Sequence, residues 1–249
     1  MPQINTIDEV IEALDGIIKQ SIDNNDTAGY FAALYRKVTI KVKEGIANNE
    51  FEDGSRMADL DIIFASRYLN AWSAWKKNEP LSASWKKAFN ITTDYWPIVL
   101  QHLLMGMNAH INLDLGIAAA QVSATKNIND LQNDFNKINN ILSSLVNDVQ
   151  NNLADIWPGL KWMLQKTKKV DDFFVDFSMQ LSREGAWKFA VSLANDQHTG
   201  LNTLIAARDT IIAEKSKIIT HDGFIVSLIL GIVRIGERGS VKQNIERLK

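Results

Sequence analysis

Cysteine is absent from this chain of 249 residues, and histidine occurs only four times. The lack of cysteine excludes disulfide scaffolds, thiolate metal sites and cysteine nucleophiles. It is also compatible with a reducing compartment, and we expect a cytoplasmic protein. The formal net charge is −2, which excludes the strong basic excess that is typical of nucleic-acid-binding proteins. We therefore expect no nucleic-acid partner.

A signal peptide and a long hydrophobic run are missing as well. The first residues lack a basic segment followed by a continuous apolar segment. The most apolar run, Gly223 to Val233, has about 11 residues, whereas a helix that spans a bilayer needs about 20. We expect no membrane span and favour a buried core helix for this run. A membrane-surface or partner-binding helix is the alternative.

Glycine and proline are scarce, with 13 and 4 residues. Apolar residues recur with the helical period along most of the chain, and Thr6 and Glu9 precede the first stripe with capping-box spacing. No alternating strand pattern, internal repeat or low-complexity linker is present. The sequence predicts an all-α single domain over residues 1–249. Its architecture would be a bundle of about eight helices around a buried central helix at about residues 97–123. Further helices are expected at 127–156, 171–195 and 224–248.

The predicted central helix is almost entirely apolar, yet it carries polar side chains at His102, Asn108, His110, Asn112 and Asp114. A buried polar group costs about 1–3 kcal/mol when it is left unpaired. Helical geometry places His110 and Asp114 on one face, about 40° apart and one turn apart along the axis. Asn108 and Asn112 point to the opposite side, where we expect them to bond neighbouring helices.

Three interpretations of the His110–Asp114 pair stay open. The pair belongs to a structural hydrogen-bond network, or Asp114 orients His110 in a metal-free site, or both side chains bind a divalent metal such as zinc. His102 lies about 12 Å from His110 along the axis, too far to share a metal ion but able to face the same cavity. Four histidines are too few for the trinuclear zinc site of helical phospholipases.

A second polar group lies on the third predicted helix, in the segment MADLDIIFASRYLNAW. The simpler interpretation is a carboxylate at the helix start, Asp59, plus one interhelical salt bridge. In the functional interpretation Asp61 or Arg67 points into the same cavity as His110. We expect His198 and His221, at predicted helix starts, to lie on the surface.

The candidate catalytic residues are therefore His110, Asp114, His102, Asp61 and Arg67. In an enzyme, His110 would be the general base or a metal ligand, with Asp114 as its orienting carboxylate or second ligand. Arg67 would hold an anionic or carbonyl group of a small, largely apolar substrate during hydrolysis, elimination or isomerisation. The alternatives are a non-catalytic binding protein for a hydrophobic ligand and a helical scaffold that docks through its final apolar helix.

Two stretches of the chain resemble a bacterial family of unknown function, family 5995. One is the string Asn108 to Ala118, NAHINLDLGIA. The other is a block of the form GxFxD–M–LD–VFA–RYL–A, in which Asn49 takes the place of the glycine. A later R-E-x-A-W element is similar too. Members of the block in this chain are Phe51, Asp53, Met57, Leu60, Asp61, Phe64, Ala65, Arg67, Tyr68, Leu69 and Ala71. The resemblance implies one self-contained bacterial domain whose central polar residues follow a family pattern, and it implies no activity.

Overall fold

The computed structural model of the protein describes residues 4–159, 183–196, 200–220 and 224–249. Within these ranges the chain forms eleven α-helices and no β-strand, which confirms the all-α class and exceeds the predicted count of about eight. The helices are α1 (Ile7–Asp23), α2 (Gly29–Ala47), α3 (Gly54–Lys76), α4 (Ala83–Asn90), α5 (Val99–Ala109), α6 (Leu115–Val122), α7 (Gln132–Ile156), α8 (Arg183–Ala194), α9 (Leu201–Thr220), α10 (Phe224–Gly236) and α11 (Val241–Leu248).

Helix ends follow local sequence signals. The Thr6 hydroxyl accepts a hydrogen bond from the backbone N–H of Glu9 at 3.1 Å, as the capping-box spacing predicts. Helices α1, α2 and α3 are each followed, two residues after their last helical residue, by an asparagine with positive φ: Asn25, Asn49 and Asn78. Asparagine tolerates this left-handed conformation, which glycine adopts most readily. Asn49, at φ 57°, therefore adopts a backbone conformation that a glycine at this position would also adopt.

The central helix is confirmed, and it is built from α5, a π-helical turn at His110–Asp114, and α6. From Ile98 to Ala119 every residue is buried except Leu100 and Met107. Its first half packs against α2, α4 and α9, and its second half packs against α3 and α8. A helix that is enclosed in this way must be apolar around its whole circumference, and this explains the composition of the segment.

Helix α8 packs tightly against the central helix at Gly116. A Cβ atom at this position would lie 2.7 Å from the Phe189 ring and 2.9 Å from the carbonyl oxygen of Ala186. At Gly16, in the exposed face of α1, a Cβ atom would meet nothing within 4 Å.

We predict opposite effects of alanine at these two glycines. Gly116→Ala should lower the free energy of unfolding by about 1–2 kcal/mol, because overpacking against a backbone oxygen outweighs the gain in helix propensity. Gly16→Ala should raise it by about 0.5–1 kcal/mol through helix propensity alone. Urea denaturation of both variants tests this, and equal effects would contradict the close packing of α6 on α8.

Two predicted boundaries differ from the structure. The helix expected at 224–248 is two helices, because Gly239 adopts φ 97° and Ser240 starts α11 with a capping box to Gln243. The helix expected from Asn127 begins with a short 3₁₀ turn at Ile128–Leu131. Of the helix expected at 171–195, residues 171–182 lie outside the described residues, as do His198 and His221, and the remainder is α8.

No helix in the described ranges is long and apolar enough to cross a membrane. The apolar run of the sequence contributes to α10, which has 13 residues. This agrees with the expectation that the run does not span a bilayer.

Candidate functional site

A π-helical turn lies at the middle of the central helix, at His110–Asp114. Turns of this kind are rare, and they occur frequently at functional sites. Neighbouring polar groups anchor the turn to α9, since Arg208 donates to the carbonyl oxygen of Asn112 at 3.1 Å and Asn108 donates to that of Ile212 at 3.1 Å. The prediction that the two asparagines bond neighbouring helices is confirmed for Asn108, while Asn112 donates to the Asn108 side chain.

The Asp114 carboxylate contacts three other side chains of the site. Its Oδ1 accepts from Arg67 Nε at 2.7 Å, and its Oδ2 accepts from Trp85 Nε1 at 2.8 Å. Asp114 Oδ2 also lies 3.1 Å from His110 Nδ1. The Asp114 side chain is 1% exposed, so these three groups from α3, α4 and the π turn replace its hydration. A buried carboxylate is tolerated only with such compensation.

The His110 imidazole is enclosed by aromatic rings. The Phe64 ring stacks on it with a centroid distance of 3.6 Å and an interplanar angle of 7°. The Tyr35 ring meets it edge-on at 4.5 Å. Three further rings, of Phe31, Tyr68 and Trp85, have centroids within 6.0 Å of the imidazole. The surroundings of His110 are therefore largely aromatic, and the Asp114 carboxylate is its hydrogen-bond partner.

This environment determines the protonation of His110. Burial lowers its pKa, and the opposing effect of Asp114 does not restore the ordinary value; the Arg67 charge lowers it further. Because a neutral imidazole has one N–H and a carboxylate only accepts, the proton is on Nδ1 and is donated to Asp114. The lone pair of Nε2 is then free, and Nε2 is buried without a hydrogen-bond partner.

Arg67 connects this buried group to the surface. Its side chain is 30% exposed, in contrast to those of His110 and Asp114. Phe64, one helical turn earlier on α3, is also partly exposed. Arg67 and Phe64 are therefore the partly exposed side chains next to the buried His110–Asp114 pair.

Asp61 is buried on α3 and has no ion-pair partner in the described part of the chain. Burial raises its pKa to about 7, and its Oδ2 atom has no hydrogen-bond partner. Burial also raises the pKa of Tyr35, and the charge of Asp61 is the second cause. Asp61 is thus coupled to the Tyr35 ring that contacts His110, but it is not hydrogen bonded to Asp114.

His102 does not join this group. It lines a separate crevice between α2, α4 and α5, from which His110 is absent. The predicted arrangement with both histidines in one cavity therefore differs from the observed one. Phe31 and Trp85 line the crevice, and both rings also contact His110.

Metal ligation by His110 and Asp114 stays a prediction. The two side chains bond each other, and both Asp114 oxygens are engaged by donors. In the ranges that the structure describes, no group of three or more His, Asp or Glu side chains is placed to hold a metal ion.

Trp85, Phe64 and Tyr35 are members of the site that the sequence analysis did not identify. Phe64 precedes Arg67 by three residues, so helical spacing places the two side chains near one face of α3. No local signal identifies Trp85 or Tyr35, since they approach His110 from other helices.

Comparison with known proteins shows that the sequence matches a family. The sequence profile described as Family of unknown function (DUF5995) matches residues 7–222, which include α3, α4 and the whole central helix. No curated protein and no solved structure matches the chain. Since the match covers well over half of the sequence, the protein belongs to the DUF5995 family.

Proposed function

We propose that the protein is a small-molecule enzyme in which His110 is the general base. The observation that carries this proposal is the buried Nε2 atom of His110, whose lone pair has no partner while Nδ1 is held by Asp114. A buried acceptor without a partner is costly. An orienting carboxylate on one nitrogen and a free lone pair on the other is the arrangement that general-base catalysis needs.

The other side chains support defined roles. Asp114 is a positioning residue, because it fixes the tautomer and the ring plane of His110. Arg67 reaches both Asp114 and solvent, which suits it to bind a carboxylate or a developing enolate oxygen. Asp61 has a pKa of about 7 and is the candidate acid that returns a proton. The engaged oxygens of Asp114 favour this orienting role over metal ligation.

The surrounding rings favour an apolar, planar substrate. Stacking of Phe64 on the imidazole blocks the ring face in the present conformation. Rotation of this partly exposed side chain would let a substrate ring take its place, with its carboxylate at Arg67. We infer proton abstraction from a carbon next to a carbonyl group, the first step of many eliminations and isomerisations.

Phenylpyruvate is a suitable probe, since it combines an aromatic ring, a carboxylate and an acidic C–H. Nε2 of His110 would take the carbon-bound proton, the electron pair would form an enolate held by Arg67, and a solvent deuteron would return to carbon. We expect the protein to accelerate this exchange in D₂O, measured by proton NMR. His110→Gln should reduce the rate by about a hundredfold or more. Arg67→Gln should raise KM and also lower kcat, because Arg67 holds the substrate carboxylate and the developing enolate.

A matched control separates catalysis from stability. Asp134 is also a buried carboxylate, and it accepts hydrogen bonds from the backbone N–H groups of Glu52 and Asp53 at 2.7 and 2.8 Å. Asp114→Asn should reduce the exchange rate, while Asp134→Asn should leave it unchanged in folded protein. Equal losses in both variants would contradict the proposal.

Hydrolysis by the same base is tested with p-nitrophenyl esters and the same variants. The aromatic enclosure also favours a second candidate, a binding protein for an apolar ligand. Saturable binding of phenylpyruvate without exchange or hydrolysis, and with unchanged affinity in His110→Gln, would favour that candidate over the enzyme.

A further inference from the structure

The crevice at His102 is a cavity that the proposed active site does not use. Its space for the centre of a water-sized molecule is about 10 Å³, which is room for about one water. The Thr27 hydroxyl donates to the Thr92 carbonyl oxygen at 3.3 Å, and both residues are partly exposed, so they form the mouth. The lining residues are Thr27, Ala28, Phe31, Trp85, Ala88, Phe89, Thr92, His102 and Gly106.

His102 contributes to the wall of this crevice a buried ring nitrogen that has no hydrogen-bond partner. It is 5% exposed, and its Nδ1 atom has no hydrogen-bond partner. Burial lowers its pKa to about 3; the charge of Arg234 lowers it too, whereas Asp26 and a hydrogen bond to the Pro97 backbone raise it. Since proline has no N–H, the donor toward Pro97 is a ring N–H of His102 and the acceptor is the Pro97 carbonyl oxygen. Because Nδ1 has no partner, we assign the N–H to Nε2 and the acceptor lone pair to Nδ1.

We propose that the His102 crevice is a binding subsite for the hydroxyl group of a small molecule, which donates its hydrogen bond to His102 Nδ1. The carbon part of such a ligand would lie along Phe31, Trp85 and Phe89, which supply an apolar wall. A ligand larger than water requires the Thr27–Thr92 contact to open. An acceptor-only molecule of the same size is not recognised, because it offers Nδ1 no proton.

This subsite shares two side chains with the surroundings of His110, but it can be tested separately from the chemistry proposed there. The rings of Phe31 and Trp85 contact His110 and also line the crevice. Binding at His102 requires no proton transfer, so the two proposals fail or succeed separately.

Ethanol and acetonitrile are matched probes, since each has three heavy atoms and only ethanol donates a hydrogen bond through oxygen. The full chain labelled with ¹⁵N-histidine gives resonances from only four histidines. The His102 resonances are assigned through the neighbouring Tyr30 ring, whose centroid lies 5.5 Å away. We expect ethanol to shift the His102 Nδ1 resonance upfield in a saturable way, and acetonitrile to cause no such shift.

Two variants test whether ethanol enters through the mouth of the crevice. Thr27→Leu adds bulk at the mouth and should weaken ethanol binding about tenfold or more, a loss comparable to that of one hydrogen bond. Thr93→Leu, exposed and outside the lining, should leave the binding unchanged.

Three results would overturn the proposal. The first is the lack of a saturable shift with ethanol, and the second is an equal shift with acetonitrile. The third is an Nδ1 resonance that is already at its hydrogen-bonded position in buffer and does not move with ethanol, which would indicate a water site only. The comparison of the two probes on the unaltered protein decides the matter even where Thr27→Leu does not fold.

Discussion

Replacement of Asp114 by alanine is expected to lower the free energy of unfolding by about 3 kcal/mol or more. The change removes the acceptor for Trp85 Nε1, for His110 Nδ1 and for the Arg67 guanidinium. Each buried donor that is left without an acceptor costs about 1–3 kcal/mol. Arg67 is 30% exposed, so water can solvate part of its charge, and this keeps the expected loss near the lower end of the range for a broken buried pair.

The chain offers a closely matched control for this change. Asp15 forms an ion pair with Arg36, in which Asp15 Oδ1 lies 2.7 Å from Arg36 Nε, the distance that joins Asp114 to Arg67, but the Asp15 side chain is 39% exposed. Asp15→Ala should cost only about 0–1 kcal/mol, because exposed ion pairs contribute little. Urea denaturation of the two variants at neutral pH measures the difference. Similar losses would show that the Asp114 network contributes no more than a surface pair.

The second large effect is the pH dependence that Asp61 gives to the free energy of unfolding. Its pKa is raised by burial from 3.8 to about 7 in the folded protein. Between pH 3.8 and about 7 the Asp61 carboxyl group is protonated in the folded protein and ionised in the unfolded chain. Its contribution to the free energy of unfolding is therefore fully present below pH 4 and is lost as the pH rises to 7. The shift of about three pKa units corresponds to about 4 kcal/mol. Above pH 7 the folded state contains an ionised carboxylate without a counter-ion.

Asp61→Asn removes this titration and keeps the side-chain shape. The free energy of unfolding of the variant minus that of the unaltered protein should rise by about 4 kcal/mol between pH 4 and pH 8. His102 and His110, whose pKa values are lowered by burial, lose their contribution as the pH falls, but this cancels in the difference. Asp59→Asn, exposed on the same helix, is the control. A difference that does not change with pH would contradict a buried, unpaired Asp61.

Local sequence spacing was enough to predict the parts of the site that lie on one helix. The contact between His110 and Asp114 follows from their separation by one helical turn, and the observed distance between their side chains is 3.1 Å. The π turn at these residues was not predicted, because it depends on anchoring contacts from α9, including the bond from Arg208 to Asn112.

Residues on different helices could not be assigned to the site by spacing. The sequence did not identify the partner of Arg67, and only the packing of α3 on the central helix brings it to Asp114. Trp85 lies on a short helix and belongs to no recognisable motif, yet its indole N–H donates a hydrogen bond to the Asp114 carboxylate. The sequence allowed His102 to face the same cavity as His110, but His102 lies in a crevice whose lining includes Phe31 and Trp85 and does not include His110.

The sequence by itself determined the all-α class, the buried central helix and the His110–Asp114 pair. Each depends on the helical period and on how hydrophobic neighbouring residues are, which are local properties. The tertiary structure decided which helices meet the central one, which donors surround Asp114, and that His102 and His110 lie in separate environments. Those outcomes depend on the crossing angles and offsets between helices, which result from the packing of the whole core rather than from any one segment.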